Sequence, residues 1–452
     1  MKKKTKAILT EGNVTKQLMK LSFQMFFGML ATMMFNIVDT YFVGQLGTTE
    51  LAAMSFTFPV VMVVAGIATG LGVGASAIIS KAIGEGDQYK IQRLTTDSLV
   101  LSLIIVACFI FLGLFTIEPV FTLIGANAET LGLIKDYMLY WYPGMFFLVI
   151  PMVGNSAIRA SGDTKTASIV MVSSVAVNIL LDPIFIFGFG IIPRLELTGA
   201  AIATVISRAL TLVLSLYILK RHHNMITFKV PKISEVIISW KKLLYIGIPT
   251  AGTNLVVPLA MGFITALVAS FGKEAVAAFG VASRVEMLFA AVIISLSVVL
   301  GPYIGQNQGA GKIDRVRLVI KRAYQFGISW GICTAVILMI IGKYFASLFN
   351  DDLRVIEIAS LYFAIVSWGY GFQSILRISQ TAFNVLNKPF NSTVLMILQM
   401  FILYVPLAYL GSYLLGVKGI FASALISNLL AGLTAYFWLR IYLKKDEFIN
   451  HH

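Results

Sequence analysis

Leu21–Val43 reads LSFQMFFGMLATMMFNIVDTYFV, and Ala167–Phe189 reads ASIVMVSSVAVNILLDPIFIFGF. Each is long enough to cross a bilayer as one helix, which takes about 20 apolar residues. Each also carries a carboxylate, Asp39 in the first and Asp182 in the second. A carboxylate at that depth costs roughly 2.5–3.5 kcal/mol on insertion scales, so it is retained where an ion, a proton or a substrate needs it. Asn178 stands one turn before Asp182, and Pro183 follows directly.

Runs of the same kind begin near Lys16, Glu50, Ile91, Leu131, Thr164, Leu197, Trp240, Glu274, Val316, Asp352, Pro389 and Val417. The 452-residue chain is 58% hydrophobic and 12% charged, with mean hydropathy +0.87. Soluble domains carry about 25% charged residues. The expected fold class is therefore an all-α polytopic membrane protein with twelve transmembrane helices.

The formal charge of +14 does not point to nucleic acid, because the basic residues alternate from loop to loop. Lys2, Lys3, Lys4 and Lys6 begin one series. It continues with Lys81, Lys90 and Arg93, then Arg159 and Lys165, then the segment Arg221–Lys242, then Lys312–Arg322, and ends with Lys444 and Lys445. The intervening loops hold few, such as Arg194, Lys273 and Lys418. By the positive-inside rule both termini are cytoplasmic, in a plasma-membrane protein whose surface also meets anionic lipid. The first apolar run is too long for a signal h-region and lacks a small-residue cleavage pattern, so no cleavable leader is expected. Cys108 and Cys333 both fall mid-span and are expected to be packed thiols rather than a disulfide. His222 and His223 lie in a loop and His451 and His452 end the chain, so no histidine relay through the membrane is expected.

Shifted by 225 positions, the chain matches itself. Gly47, Ala52 and Ala53 fall on Gly272, Ala277 and Ala278; Gly84 and Gly86 fall on Gly309 and Gly311; Cys108 falls on Cys333. After a five-residue difference, Gly199 and Ser207 fall on Gly419 and Ser427. Two six-helix lobes are expected, 1–220 and 241–452, joined by a cytoplasmic linker 221–240. An even number of spans gives both halves the same orientation, hence a pseudo-twofold axis along the membrane normal. The polar residues were not duplicated: Asp39, Asn178, Asp182 and Thr204 correspond to Ile264, Leu403, Leu407 and Ala424.

Asn178 and Asp182 share a helix face at i,i+4, which Met171 and Val175 continue. Asn36 and Asp39 are i,i+3, with Phe35 near that face, and Thr204 lies one turn after Ala200. Pro183 lacks an N–H, which should bend its helix and free a carbonyl. Carboxylate, amide, hydroxyl and carbonyl oxygens suit a hard cation such as Na⁺. Alternatively, two neighbouring carboxylates share a proton. A polar network that only ties helices together is the structural alternative, and for Thr204 it weighs as much as a functional role. In the eighth span, Arg284 and Glu286 are i,i+2 and do not share a face. Arg208 and Arg377 are expected to snorkel from the cytoplasmic halves of their spans.

Gly70-Leu71-Gly72-Val73-Gly74 lies inside a span and follows no βα unit, so it reads as close helix packing rather than a dinucleotide site. Gly309-Ala310-Gly311-Lys312 resembles a phosphate loop, but Gln306 and Ile313 stand where Gly and Ser or Thr are needed. No enzyme and no cofactor are expected, and transport would draw on an ion gradient.

The stretches Asn36-Ile37-Val38-Asp39-Thr40, Arg159-Ala160-Ser161-Gly162-Asp163-Thr164-Lys165, Asn178-Ile179-Leu180-Leu181-Asp182-Pro183 and Gly199–Thr204 together resemble the multidrug and toxic compound extrusion (MATE) family. The likeness covers essentially the whole chain and is nearest to the branch of the DNA-damage-inducible F proteins. It implies two lobes forming a V around a central cavity, and a cation-coupled antiporter working as a monomer. Asp39, Asn178, Asp182 and Thr204 would hold Na⁺ or carry H⁺, with the Ala200 carbonyl as a further ligand. Phe35, Asn36, Asn155 and Met171 would line the drug cavity. Phe35 and Pro151 stand where some relatives carry polar residues. The cargo implied is amphipathic, often cationic or aromatic, and drug-like. The alternatives are a flippase for a lipid-linked precursor of the same superfamily, for which Arg284 is the candidate cation, and a channel or scaffold.

Overall fold

The computed structural model describes residues 5–444; Lys2, Lys3, Lys4, Lys445, His451 and His452, named above, lie outside the described residues. Among them are twelve helices long and apolar enough to cross a membrane. They are α1 (Val14–Gly44), α2 (Thr49–Glu85), α3 (Gln88–Ile124), α4 (Ala128–Ala160), α5 (Thr164–Phe187) and α6 (Glu196–His222) in the first half. The second half holds α7 (Ile233–Ala269), α8 (Lys273–Gly309), α9 (Ile313–Ser347), α10 (Leu353–Val385), α11 (Pro389–Leu415) and α12 (Val417–Lys444). The boundaries keep the 225-residue register: α4 at 128–160 maps onto α10 at 353–385.

Local chemistry explains the ends. Asp87, Asn127, Asp163 and Asp352 each cap a helix by accepting a backbone N–H two or three residues on. Gly86 (φ 76°) and its repeat equivalent Gly311 (φ 70°) end α2 and α8 in the left-handed region that glycine tolerates best. That is what the phosphate-loop look-alike does: it closes a helix. The last turn of α6, Ile218–His222, and the middle of α11, Leu398–Tyr404, are π-helical. Pro183 sits inside α5, which continues to Phe187.

The chain divides into two compact units. The first takes in Phe23–Ala251 with the described residues up to Ile8; the second takes in Leu9–Ser22 and the chain from Gly252 onward. This differs from the expected boundaries at 220 and 241, because α1 and α7 each begin in one unit and end in the other. In the first unit, α2 glycines explain why. A Cβ at Gly70 would collide with the Gly247 carbonyl, and one at Gly74 would lie 2.7 Å from the Leu243 carbonyl, so α7 packs backbone-close on α2. The segment expected as a linker is held there too. Gln88 and Gln92 amides donate to the Asn224 carbonyl at 2.9 Å, and Met225 is fully buried. Arg93, expected in a basic loop, lies in α3, is buried and pairs with Asp97, and Trp240 donates to the Asp97 carbonyl at 3.0 Å. In the second unit, Arg315 donates to the carbonyls of Leu9, Glu11 and Gly12, which ties down the segment before α1.

Cys108 and Cys333 are free and exposed, not packed. They lie on outward faces of α3 and α9 among exposed apolar side chains such as Phe111 and Met339, where a thiol behaves as a small hydrophobe.

Candidate functional site

Two helix seams build the polar site inside the first unit. Along α1 and α5, Ser168 Oγ donates to the Gln24 carbonyl at 2.7 Å and Thr164 Oγ1 to Gln24 Oε1 at 2.9 Å. One turn on, Gly28 lets the helices close, since a Cβ there would lie 3.2 Å from both Met171 Sδ and Ser168 Cα. Continued at the same register, the seam brings Phe35 level with Asn178 and Asp39 level with Asp182. Along α5 and α6, Ser174 Oγ donates to the Ser207 carbonyl at 3.1 Å, and a Cβ at Gly199 would collide with the Phe185 carbonyl. Between those contacts the antiparallel register levels Asn178 with Thr204 and Asp182 with Ala200.

Asp182 and Asn178 are fully buried and Asp39 nearly so. Asn178 Nδ2 donates to Asp182 Oδ1 at 2.9 Å. That leaves Asp182 Oδ2, Asn178 Oδ1 and Asp39 Oδ1 buried without a hydrogen-bond donor among the described residues. The two carboxylates are close enough to interact as like charges, and Tyr137 of α4 lies within electrostatic reach of both. An unsatisfied buried polar atom ordinarily costs about 1–3 kcal/mol. Three acceptor oxygens on facing helices are what a small cation or a proton would satisfy.

Ala200 is buried and Thr204 half-buried on the α6 face toward α5. Phe35 is buried, and Met171 fills the seam opposite Gly28. Asn155 is not beside the aspartates. Its Nδ2 lies 3.4 Å from the Ala167 carbonyl near the start of α5, on the order of 20 Å along the helix from Asp182. Asn36 is exposed and donates to the Thr32 carbonyl of its own helix at 3.3 Å.

Two further residues reach the site, Tyr137 and Arg208, neither of them expected there. Tyr137 gave no signal, since an aromatic in an apolar span is ordinary. Arg208 gave one: it is i,i+4 to Thr204 and so shares its face. Its guanidinium carbon sits 4.6 Å from the Phe35 ring centroid, and it interacts with Asp39 as an opposite charge. Its helix runs on to His222, about 21 Å further, and back to Glu196, about 18 Å away.

The second unit holds a different cluster. Tyr362 Oη donates to Glu286 Oε2 at 2.5 Å, Gln373 also bonds Glu286, and Arg377 lines the same pocket rather than reaching away from it. Arg284 is exposed. An open groove of about 270 Å³ on the first unit, lined by Phe27, Ile169 and Val172, contains neither aspartate.

The MatE family model matches residues 25–184 and 249–410. The FAD transporter of Shewanella oneidensis is 39% identical over 95% of each chain. The multidrug export protein MepA of Staphylococcus aureus is 28% identical over 96% of this chain and 95% of its own. Among solved structures, the Vibrio cholerae MATE transporter VcmN in the bent form superposes with a TM-score of 0.91 at 30% identity, covering 97% of this chain and 99% of that one. A MOP superfamily transporter from Pyrococcus furiosus, described as having a binding pocket of reverse polarity, superposes with a TM-score of 0.88 at 26% identity, over 98% and 99% of the two chains.

Proposed function

The chain belongs to the MATE family of multi-pass membrane transporters, and on that premise we propose that it is a cation-coupled antiporter exporting amphipathic, often aromatic compounds. The observation that carries this reading is the facing pair Asp39 and Asp182, buried in apolar helices, each with one carboxylate oxygen that has no donor among the described residues. Na⁺ or H⁺ entering there would find two carboxylates, the Asn178 amide oxygen, the Thr204 hydroxyl and the Ala200 carbonyl. Neutralising the pair removes its repulsion. An ion that binds one conformation better shifts the equilibrium by its differential affinity and no more, which is the thermodynamic content of coupling. Phe35, Met171, Asn36 and Asn155 are the proposed cargo contacts, with Asn155 the most remote from the ion site. The alternation of basic loops supports a plasma-membrane protein with both termini cytoplasmic, and a monomer is the proposed working unit.

A second cargo reading rests on the Shewanella relative. Its name gives FAD, an anionic aromatic compound, as that protein's cargo, which supports extending the proposed cargo class to FAD. Drug or flavin flux in proteoliposomes, under an imposed ΔpH or Na⁺ gradient, tests both. Flux that ignores both gradients would overturn the antiporter reading. Export of FAD but of no cationic dye would replace the first cargo class with the second.

A further inference from the structure

Arg208, expected to snorkel, has its guanidinium on the Phe35 ring beside the acid pair. It stacks on Phe35 of α1, one helical turn before Asp39. Its Nε is buried and makes no hydrogen bond, and Asp39 Oδ1 is likewise buried and unbonded. Opposite charges thus sit within mutual influence while neither completes a hydrogen bond to the other. Residues i and i+4 on a helix have Cβ atoms about 5–6 Å apart. A swing of the arginine head from ring to carboxylate is therefore a side-chain motion that needs no movement of α1 or α6. Guanidinium suits both ends, since it stacks on aromatic faces and forks onto carboxylates.

We propose that Arg208 is a positioning residue of the coupling site, a tethered cation that moves between the Phe35 ring and the Asp39 carboxylate. This rests on the reading of Asp39 as a coupling carboxylate. With the site empty, Arg208 turns onto Asp39 and supplies the countercharge. When Na⁺ or H⁺ binds, the guanidinium returns to Phe35. The groups that face Asp39 are Asp182 and Asn178 on α5, Tyr137 on α4 and Arg208 on α6. Among these Arg208 alone carries positive charge. It therefore competes with the coupling ion, keeps the site's affinity low enough for release, and lets turnover proceed.

The test is equilibrium binding on the purified full chain: Na⁺ titration by calorimetry, and proton uptake after a pH jump. Arg208→Met keeps the apolar stem and drops the charge; Arg208→Lys keeps the charge. In Arg208→Met the affinity for the coupling ion should rise at least about tenfold, as expected when a cation within a few ångströms is removed. Gradient-driven flux should fall, because release slows. Arg208→Lys should return the affinity toward wild type. Asp39→Asn should abolish the difference between Arg and Met at position 208. If Arg208 only props α6 against α1, Arg208→Met will lower the melting temperature and leave ion affinity unchanged, and the proposal is overturned. It is equally overturned if the affinity shift survives in the Asp39→Asn background. A wild-type protein that binds neither Na⁺ nor protons would instead sink the coupling reading, and this one with it.

Discussion

Asn178 Nδ2 donates to Asp182 Oδ1 at 2.9 Å, one turn along α5, and so holds one oxygen of the carboxylate while leaving the other unbonded. The amide fixes the carboxylate's rotamer, and the free Oδ2 is available to an ion shared with Asp39. A pair made only to join helices would bond across the seam; this one bonds along its own helix.

Asp39→Asn and Asp182→Asn should each reduce gradient-driven export to background while the protein remains folded and inserted, since amide and acid are nearly isosteric. Flux in proteoliposomes, normalised to folded protein, is the measurement. Coupled transport surviving in both variants would remove the pair from the mechanism.

Glu286→Gln should weaken export less and keep its dependence on the ion gradient. Glu286 accepts from Tyr362 Oη at 2.5 Å and has Gln373 and Arg377 around it, but the repeat places no second carboxylate beside it. Tyr362→Phe should behave like Glu286→Gln, because the first removes this bond and the second reduces it from a charge-assisted to a neutral one. Loss of gradient dependence in Glu286→Gln, with the aspartate variants still coupled, would move the ion site to the second unit.

Gly199→Ala should cost about 1–3 kcal/mol through overpacking, because the new Cβ meets the Phe185 backbone rather than a movable side chain. Gly419→Ala, its repeat equivalent, meets the Gly411 carbonyl and should cost as much. The functional outcomes should differ. Gly199→Ala pushes α6 away from Asp182 and should lower export per folded molecule; Gly419→Ala should lower only the melting temperature. Equal loss of specific flux in both would mean that helix spacing at the aspartates has no special weight.

Asp163 caps α5 through the Thr166 N–H at 3.0 Å and lies 3.3 Å from His223 Nε2. Burial alone would raise its carboxyl, yet the His223 ring beside it and the hydrogen bond from the Thr166 N–H hold it at about 2, below the ordinary 3.8. A carboxylate depressed in the fold stabilises above its unfolded value and loses that contribution as pH falls through the folded one. Asp163→Ala should therefore destabilise at neutral pH by about 1 kcal/mol, the usual worth of an N-cap. The gap in melting temperature should close between about pH 4 and about pH 2. A gap independent of pH across that window would mean the carboxylate's charge plays no part.

Helix number, most helix starts and the internal repeat were legible in the amino-acid sequence; the seventh helix begins at Ile233, ahead of the expected Trp240. Hydropathy and span length are properties of one segment at a time, so each apolar run is recognisable without reference to any neighbour. The candidate acids were legible for the same reason: a carboxylate in a bilayer-length apolar run is anomalous wherever it packs. What a helix face meets is not local. Asn155 shares the composition of a cavity residue, but the crossing of α4 over the start of α5 sends it far from Asp182. Arg208 looks like a snorkelling cation in sequence, but its head lies over the ring of Phe35. Cys108 and Cys333 are mid-span in sequence and outward only because their helices are turned that way. Helical periodicity says which residues share a face, and the backbone-close approaches at Gly28, Gly70 and Gly199 decide what each face touches. Those approaches depend on residues far apart in the chain, and so the partners of Asp39 were settled by packing.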